Sequence, residues 1–250
     1  MREPLLEVCV DSVEGALAAQ AGGAHRVELC SALLEGGLTP SRGTIEVCRR
    51  ELDIKMHVIV RPRGGDFLYT TLEHETALRD VETARTLGAD GVVIGTLTAD
   101  GCVDKGTTAE LIDRARPMSV TFHRAFDMAR DPYQALEDII ELGADRVLTS
   151  GQEATALAGL DLLADLVKKA ADRIIVVLCG DINERNISKI IDRTGARELH
   201  VTGFKSVSSR MTFRNDRVFM GGELRPPEYA RNVTDVECVR VLKRKTKQTG

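Results

Sequence analysis

The sequence predicts an α/β fold: a (β/α)8 barrel of the TIM type, built as a single domain over residues 1–250. Three observations carry this expectation. Eight short apolar runs of strand length (5–10, 26–30, 56–61, 91–95, 120–123, 146–149, 174–178 and 198–201) alternate with longer stretches whose apolar residues recur at spacings of three and four. A fixed joint, Gly23-Ala24, Gly88-Ala89, Gly143-Ala144 and Gly195-Ala196, precedes the second, fourth, sixth and eighth runs, as when a left-handed glycine closes a helix before a tight turn into a strand. The length also suits eight strand–helix units. The competing open, doubly wound sheet would carry a glycine fingerprint after its first strand, and Asp11-Ser12-Val13-Glu14 is not one.

Taken in order, the first run puts Leu6, Val8 and Val10 on one face and Glu7 and Cys9 on the other. Helices coat the outside of a barrel, so the apolar face points outward and Glu7 and Cys9 point into the lumen. The second run repeats the pattern, with Val27 and Leu29 outward and Glu28 and Cys30 inward. The third ends on an inward Arg61 and leads into Pro62-Arg63-Gly64-Gly65-Asp66-Phe67, before a helix over 71–87. The fourth run, 91–95, is apolar throughout. The fifth turns Thr121 and His123 inward and opens onto Arg124 and Asp127, followed by a helix over 133–142. After the sixth comes a helix over 156–171. The seventh runs into Leu178-Cys179-Gly180-Asp181, the eighth turns His200 inward, and a last helix covers about 233–247.

Composition excludes several classes. With 43% hydrophobic residues, 34 Lys+Arg and 38 Asp+Glu, the chain can close a full core and does not read as disordered. Its longest apolar runs are strand-sized, so a membrane-spanning helix is not expected. A net charge of −4, 4% aromatics and no Trp do not make a nucleic-acid surface, and no nucleic-acid partner is expected. The first residues reach a strand at once, without a secretory leader, and the six cysteines form no CxxC pair, so the expected compartment is the reducing cytoplasm.

Charged residues inside a barrel need partners. Glu7, Glu28, Arg61, His123 and His200 converge in the predicted lumen, with Arg61 expected between the two carboxylates. They read either as a structural ion-pair network or as catalytic residues, a Glu or His serving as general base. Arg61, Arg63 and Arg124 at the strand ends could grip an anion, or pair with nearby acids such as Asp66. Asp181 after strand seven disfavours a phosphate there. Cys9 and Cys30 lie on neighbouring strands about 4.8 Å apart, as two small core hydrophobes or as a pair suited to a soft ion such as Cu(I).

These stretches resemble the CutC copper homeostasis proteins. Glu7-Val8-Cys9-Val10-Asp11-Ser12, Arg26-Val27-Glu28-Leu29-Cys30-Ser31, Glu35-Gly36-Gly37-Leu38-Thr39-Pro40-Ser41, Arg61-Pro62-Arg63-Gly64-Gly65-Asp66-Phe67, Thr121-Phe122-His123-Arg124-Ala125-Phe126-Asp127 and Arg146-Val147-Leu148-Thr149-Ser150-Gly151 carry the resemblance, which continues in Phe213-Arg214-Asn215 and Glu228-Tyr229. It implies a (β/α)8 barrel that forms homodimers or homotetramers, lies in the cytoplasm (and the nucleus in animals), and binds Cu(I) through the positions of Cys9 and Cys30. One stretch departs from the pattern: Leu178-Cys179-Gly180-Asp181-Ile182 stands where the family usually carries Pro-Gly-Gly-Gly-Ile. The resemblance therefore implies a copper-binding protein with a thiol pair at the barrel mouth. The alternative is a barrel enzyme using Glu7, Glu28, Arg61, His123 and His200 on a small anionic metabolite.

Overall fold

A computed structural model describes residues 3–220 and 227–247 of the chain. Eight parallel strands close into a barrel: β1 (Leu5–Val10), β2 (Arg26–Leu29), β3 (Lys55–Ile59), β4 (Gly91–Ile94), β5 (Ser119–Phe122), β6 (Arg146–Thr149), β7 (Ile175–Leu178) and β8 (Glu198–Val201). The seam is formed by β8 against β1, from Leu5↔Glu198 to Val8↔Val201. Outside lie α1 (Val13–Ala21), α2 (Arg42–Glu51), α3 (Thr71–Thr86), α4 (Lys105–Ala115), α5 (Pro132–Glu141), α6 (Leu160–Ala170), α7 (Ile187–Thr194) and α8 (Val236–Lys247).

Local chemistry explains where the helices begin and end. Ser12, Ser41, Thr70, Asp104 and Asp131 each precede a helix and accept a first-turn N–H with the side chain, and Thr70 and Glu73 complete a reciprocal capping box. The four predicted joints all stand in the left-handed region, with φ of +91° at Gly23, +81° at Gly88, +79° at Gly143 and +66° at Gly195. At three of them the next residue's N–H returns to the helix, Ala24 to Ala19, Ala89 to Ala84 and Ala144 to Ile139. These bonds satisfy carbonyls that a helix end leaves open.

The predicted facing holds. Leu6, Val8, Val27 and Leu29 are buried in the large core between sheet and helices, whereas Cys9 and Cys30 pack with Ile59 and Val93 in a separate inner cluster. Leu148, Val177 and Cys179 form another. Cys30, Arg61, Gly95 and His123 lie one or two residues beyond their strands, at the C-terminal mouth.

Two boundaries differ from expectation by three residues or more. The last helix begins at Val236 rather than 233, because Ala230–Thr234 is a strand, β10, paired antiparallel with β9 (Phe204–Ser208) in a hairpin outside the barrel. α6 begins at Leu160 rather than 156, because the chain first turns through Gly159, whose Cα side lies against Ser150 and Gly151. A Cβ on Gly159 would come within 2.1 Å of the Ser150 carbonyl oxygen. Among the described residues, no helix is long and apolar enough to cross a membrane.

Candidate metal centre at the barrel mouth

The lumen floor is charged. Arg26, 2% exposed, donates from Nε to Glu7 and from Nη2 to Glu198 at 2.7 Å, and Glu198 also accepts Arg146 Nε at 2.9 Å. Arg146 Nη1 reaches Ser119 Oγ at 2.6 Å, so side chains from β1, β2, β5, β6 and β8 join one network. This corrects the expected place of Arg61: Arg26 is the cation between buried carboxylates. Two residues before Glu28, it shares Glu28's inward face, whereas Arg61 lies past the end of β3 among loop carbonyls. His57, buried beside the network, is held neutral because burial and Arg26 push its pKa down to about 3. Gly91 makes its room, since a Cβ there would meet the imidazole at 2.6 Å.

One layer higher, the two predicted thiols meet. The Cα register pairs Cys9 with Glu28 rather than with Cys30, yet Cys30, the next inward residue, brings its Sγ to 3.6 Å from that of Cys9. The tilt of barrel strands allows this diagonal contact. Glu28 Oε2 is 3.3 Å from Cys30 Sγ, and donor atoms of Cys9, Glu28 and Cys30 all lie within 4.8 Å of one another. His200 completes the group, with Nδ1 2.8 Å from Glu7 Oε1 and Nε2 3.8 Å from Glu28 Oε2.

These contacts divide the protons unequally. The hydrogen bond from Cys30, then the His200 imidazolium, brings the Cys9 thiol down to about 5, so it is a thiolate at neutral pH. The same bond, together with burial, pushes the Cys30 thiol well above its ordinary value. Burial raises the Glu28 carboxyl to about 8. Burial opposes ionisation of Glu7 and His200 as well, but Arg26 keeps Glu7 well below the usual carboxylate range, and Glu28, Cys9 and Glu7 keep His200 charged. A metal displaces protons from its thiol ligands. Here the environment already favours ionisation at Cys9 and opposes it at Cys30.

The arginines named from sequence are engaged with protein partners. Arg61 Nη1 donates to the carbonyls of Glu35 (2.7 Å) and Gly37 (3.2 Å), and Nη2 to that of Gly65 (2.8 Å). Arg63 pairs with Asp66 at 3.0 Å and Glu73 at 2.7 Å, and Arg124 with Asp127 at 2.7 Å and Ser150 at 2.7 Å. His123 is buried against Phe67, and burial followed by the Arg61 charge lowers its pKa to about 3.

A cavity of about 670 Å³ opens above the thiols, lined by Cys9, Glu28, Arg61, His123, Cys179 and His200 among others. Cys179 is buried there and its pKa raised to about 12, which keeps it a thiol. Gly180 and Asp181 both have positive φ, +99° and +51°, so Asp181 occupies a conformation that favours glycine. The residues that sequence reasoning missed are Arg26, His57, Arg146 and Glu198. Extending the alternation two residues back from Glu28 and from His200 would have found Arg26 and Glu198.

Fold and site together define a class: a (β/α)8 barrel whose mouth presents a buried thiolate–thiol pair beside a carboxyl, a donor set suited to a soft metal ion. The chain belongs to the CutC family, whose model matches residues 4–205. A Bacteroides thetaiotaomicron family protein CutC is 52% identical over 96% of both chains. The Mus musculus copper homeostasis protein cutC homolog is 50% identical over 95% of this chain and 88% of its own length. A crystal structure of a Streptococcus agalactiae CutC superposes with a TM-score of 0.77 at 30% identity, covering 80% of this chain and 98% of that one. A thiamine phosphate pyrophosphorylase from Pyrococcus furiosus, at a TM-score of 0.58 and 18% identity, shares the barrel fold alone.

Proposed function

We propose that this protein serves copper homeostasis by taking Cu(I) as cargo between Cys9 and Cys30. The observation that carries the reading is the 3.6 Å contact between two buried sulfurs, of which that of Cys9 lines the open cavity and has its pKa lowered to about 5. Sulfur donors prefer the soft, monovalent ion and accept its low coordination number. Glu28 supplies the nearest further oxygen, and its Oε1, buried, has no protein partner. His200 stands outside the ligand set: its charge is shared with Glu7 and Glu28, and it favours the thiolate. The names of the relatives support the copper role.

All six cysteines are free, which fits a reducing compartment, the cytoplasm and with it the nucleus. The homodimer or homotetramer implied by the family resemblance is supported by the exposed apolar side chains Met211, Phe213 and Met220.

The test is anaerobic Cu(I) titration against a chromogenic chelator. The wild type should retain one Cu(I) per chain. Cys9→Ser and Cys30→Ser should each lose it about as completely as the double variant, because one remaining sulfur is no longer a pair. Retention of stoichiometric Cu(I) by the double variant would overturn the assignment.

A further inference from the structure

The cavity above the thiols is far larger than one metal ion needs. At about 670 Å³ it falls within the roughly 300–1,000 Å³ of small-molecule sites. Its lining also includes Arg61 and His123, each of which keeps a buried N–H that the protein leaves without a partner.

Arg61, 7% exposed, has no carboxylate partner among the described residues. Its Nη atoms are engaged by loop carbonyls, which hold the guanidinium in place without neutralising it, and its Nε–H is buried with no acceptor. A buried cation without a counter-charge favours an anion beside it. His123, 4% exposed, is the second case. Its Nδ1 accepts the Ala125 N–H at 3.1 Å, which places the ring proton of the neutral imidazole on Nε2, and Nε2 too is buried without a partner. The neutral form is maintained by burial and by Arg61 itself.

Both groups are held against one ring. The Arg61 guanidinium carbon and the His123 ring centroid each lie 5.0 Å from the centroid of Phe67. Gly95 reserves the space for the imidazole, since a Cβ there would fall 2.4 Å from His123 Nδ1. Two N–H donors from the ends of β3 and β5, one on a cation and one on a neutral ring, are thus held just behind the lining of one cavity, each without an acceptor.

We propose that the cavity binds a small organic carboxylate beside Arg61 and His123, a small shift of the two side chains letting its oxygens accept hydrogen bonds from Arg61 Nε and His123 Nε2. Each orphaned donor then gains an acceptor, and the Arg61 charge gains its counter-ion. One cation and one neutral donor suit a monoanion better than a phosphate dianion, and Asp181 at the rim adds a negative charge that a dianion would meet on entry. The site stands apart from the copper assignment, which depends on Cys9 and Cys30 rather than on Arg61 and His123.

Calorimetric titration of the copper-free chain tests this with glycolate, L-lactate and D-glycerate, their methyl esters, and glycerol phosphate. At least one carboxylate should bind, its methyl ester should lose most of that affinity, and glycerol phosphate should bind more weakly. His123→Phe keeps the contact with Phe67 and removes the donor, so affinity should fall at least about tenfold, the scale of one hydrogen bond to a charged group. His123→Gln, which restores an N–H near the Nε2 position, should recover part of it. Because Arg61 also supports its loop, its role is read instead from a crystal structure of the wild type with the best-binding carboxylate, which should show the oxygen beside Nε. Silence from every carboxylate, equal binding by the ester, stronger binding of the phosphate, or full affinity in His123→Phe would each overturn the proposal.

Discussion

His200 faces Glu7 across the β8–β1 seam in direct register, with 2.8 Å between Nδ1 and Oε1. The carboxylate fixes the ring and leaves its other nitrogen turned toward Glu28, so positive charge is delivered beside the thiol pair. Arg26 anchors Glu7 from the opposite side. The pKa of the Cys9 thiol is lowered first by Cys30 and then by His200, which Glu7 and, behind it, Arg26 hold in place.

Replacing that charge should change the thiol. His200→Gln keeps the volume and removes the cation, and the Cys9 pKa should rise by at least about one unit, the usual effect of losing an opposite charge at close range. Thiolate ultraviolet absorbance across a pH titration measures it, with Cys9→Ser identifying the responsible sulfur. An unchanged titration would assign the low value to Cys30 alone.

The floor network should be intolerant of losing its centre. Arg26→Met leaves Glu7 and Glu198 buried with reduced compensation, and breaking a buried pair this way costs about 3–5 kcal/mol. Arg146→Met should cost less, because Arg146 is more exposed and Glu198 retains Arg26. Urea unfolding of the two variants gives the order.

Acid stability should be governed in part by buried neutral imidazole. His123 in the folded chain takes up its proton only near pH 3, whereas in the unfolded chain it does so near pH 6.5. Between these values the unfolded state binds more protons, so stability must fall as the pH falls. His57, with a pKa also near 3, acts in the same direction. Glu28, raised to about 8, opposes them because its folded form holds the extra proton. Comparison with His123→Phe isolates one group: the dependence of unfolding free energy on pH between 6 and 4 should flatten by about one proton, or about 1.4 kcal/mol per pH unit. An unchanged slope would mean that His123 titrates normally in the fold.

Much of this molecule was legible from its residues because two periodicities report directly on space. Alternation on the first two strands assigned Glu7, Cys9, Glu28 and Cys30 to the lumen, and the Gly-Ala joints located helix ends that the structure shows at positive φ. What alternation does not carry is register across the barrel. Arg26 and Glu198 are 172 residues apart in the chain, and their contact exists only after closure. The partners of Arg61 were hidden for another reason: they are backbone carbonyls, supplied identically by any side chain. The β9–β10 hairpin was missed because its strands are largely exposed and lie more than twenty residues apart in the sequence. Asp181 was marked by comparison with a glycine run, and its left-handed backbone gives that mark a physical meaning.

The salt-bridged floor beneath Cys9 and Cys30 makes the barrel a blind vessel. Among the described residues, Arg26, Glu7 and Glu198 are locked together below the thiols, so the proposed Cu(I) cargo would enter and leave on the mouth side. On that reading, delivery would be a ligand exchange at the mouth, where Gly180 and Phe204 line the cavity. The loops after β7 and β8 would then shape that exchange, since both contribute residues to the cavity lining.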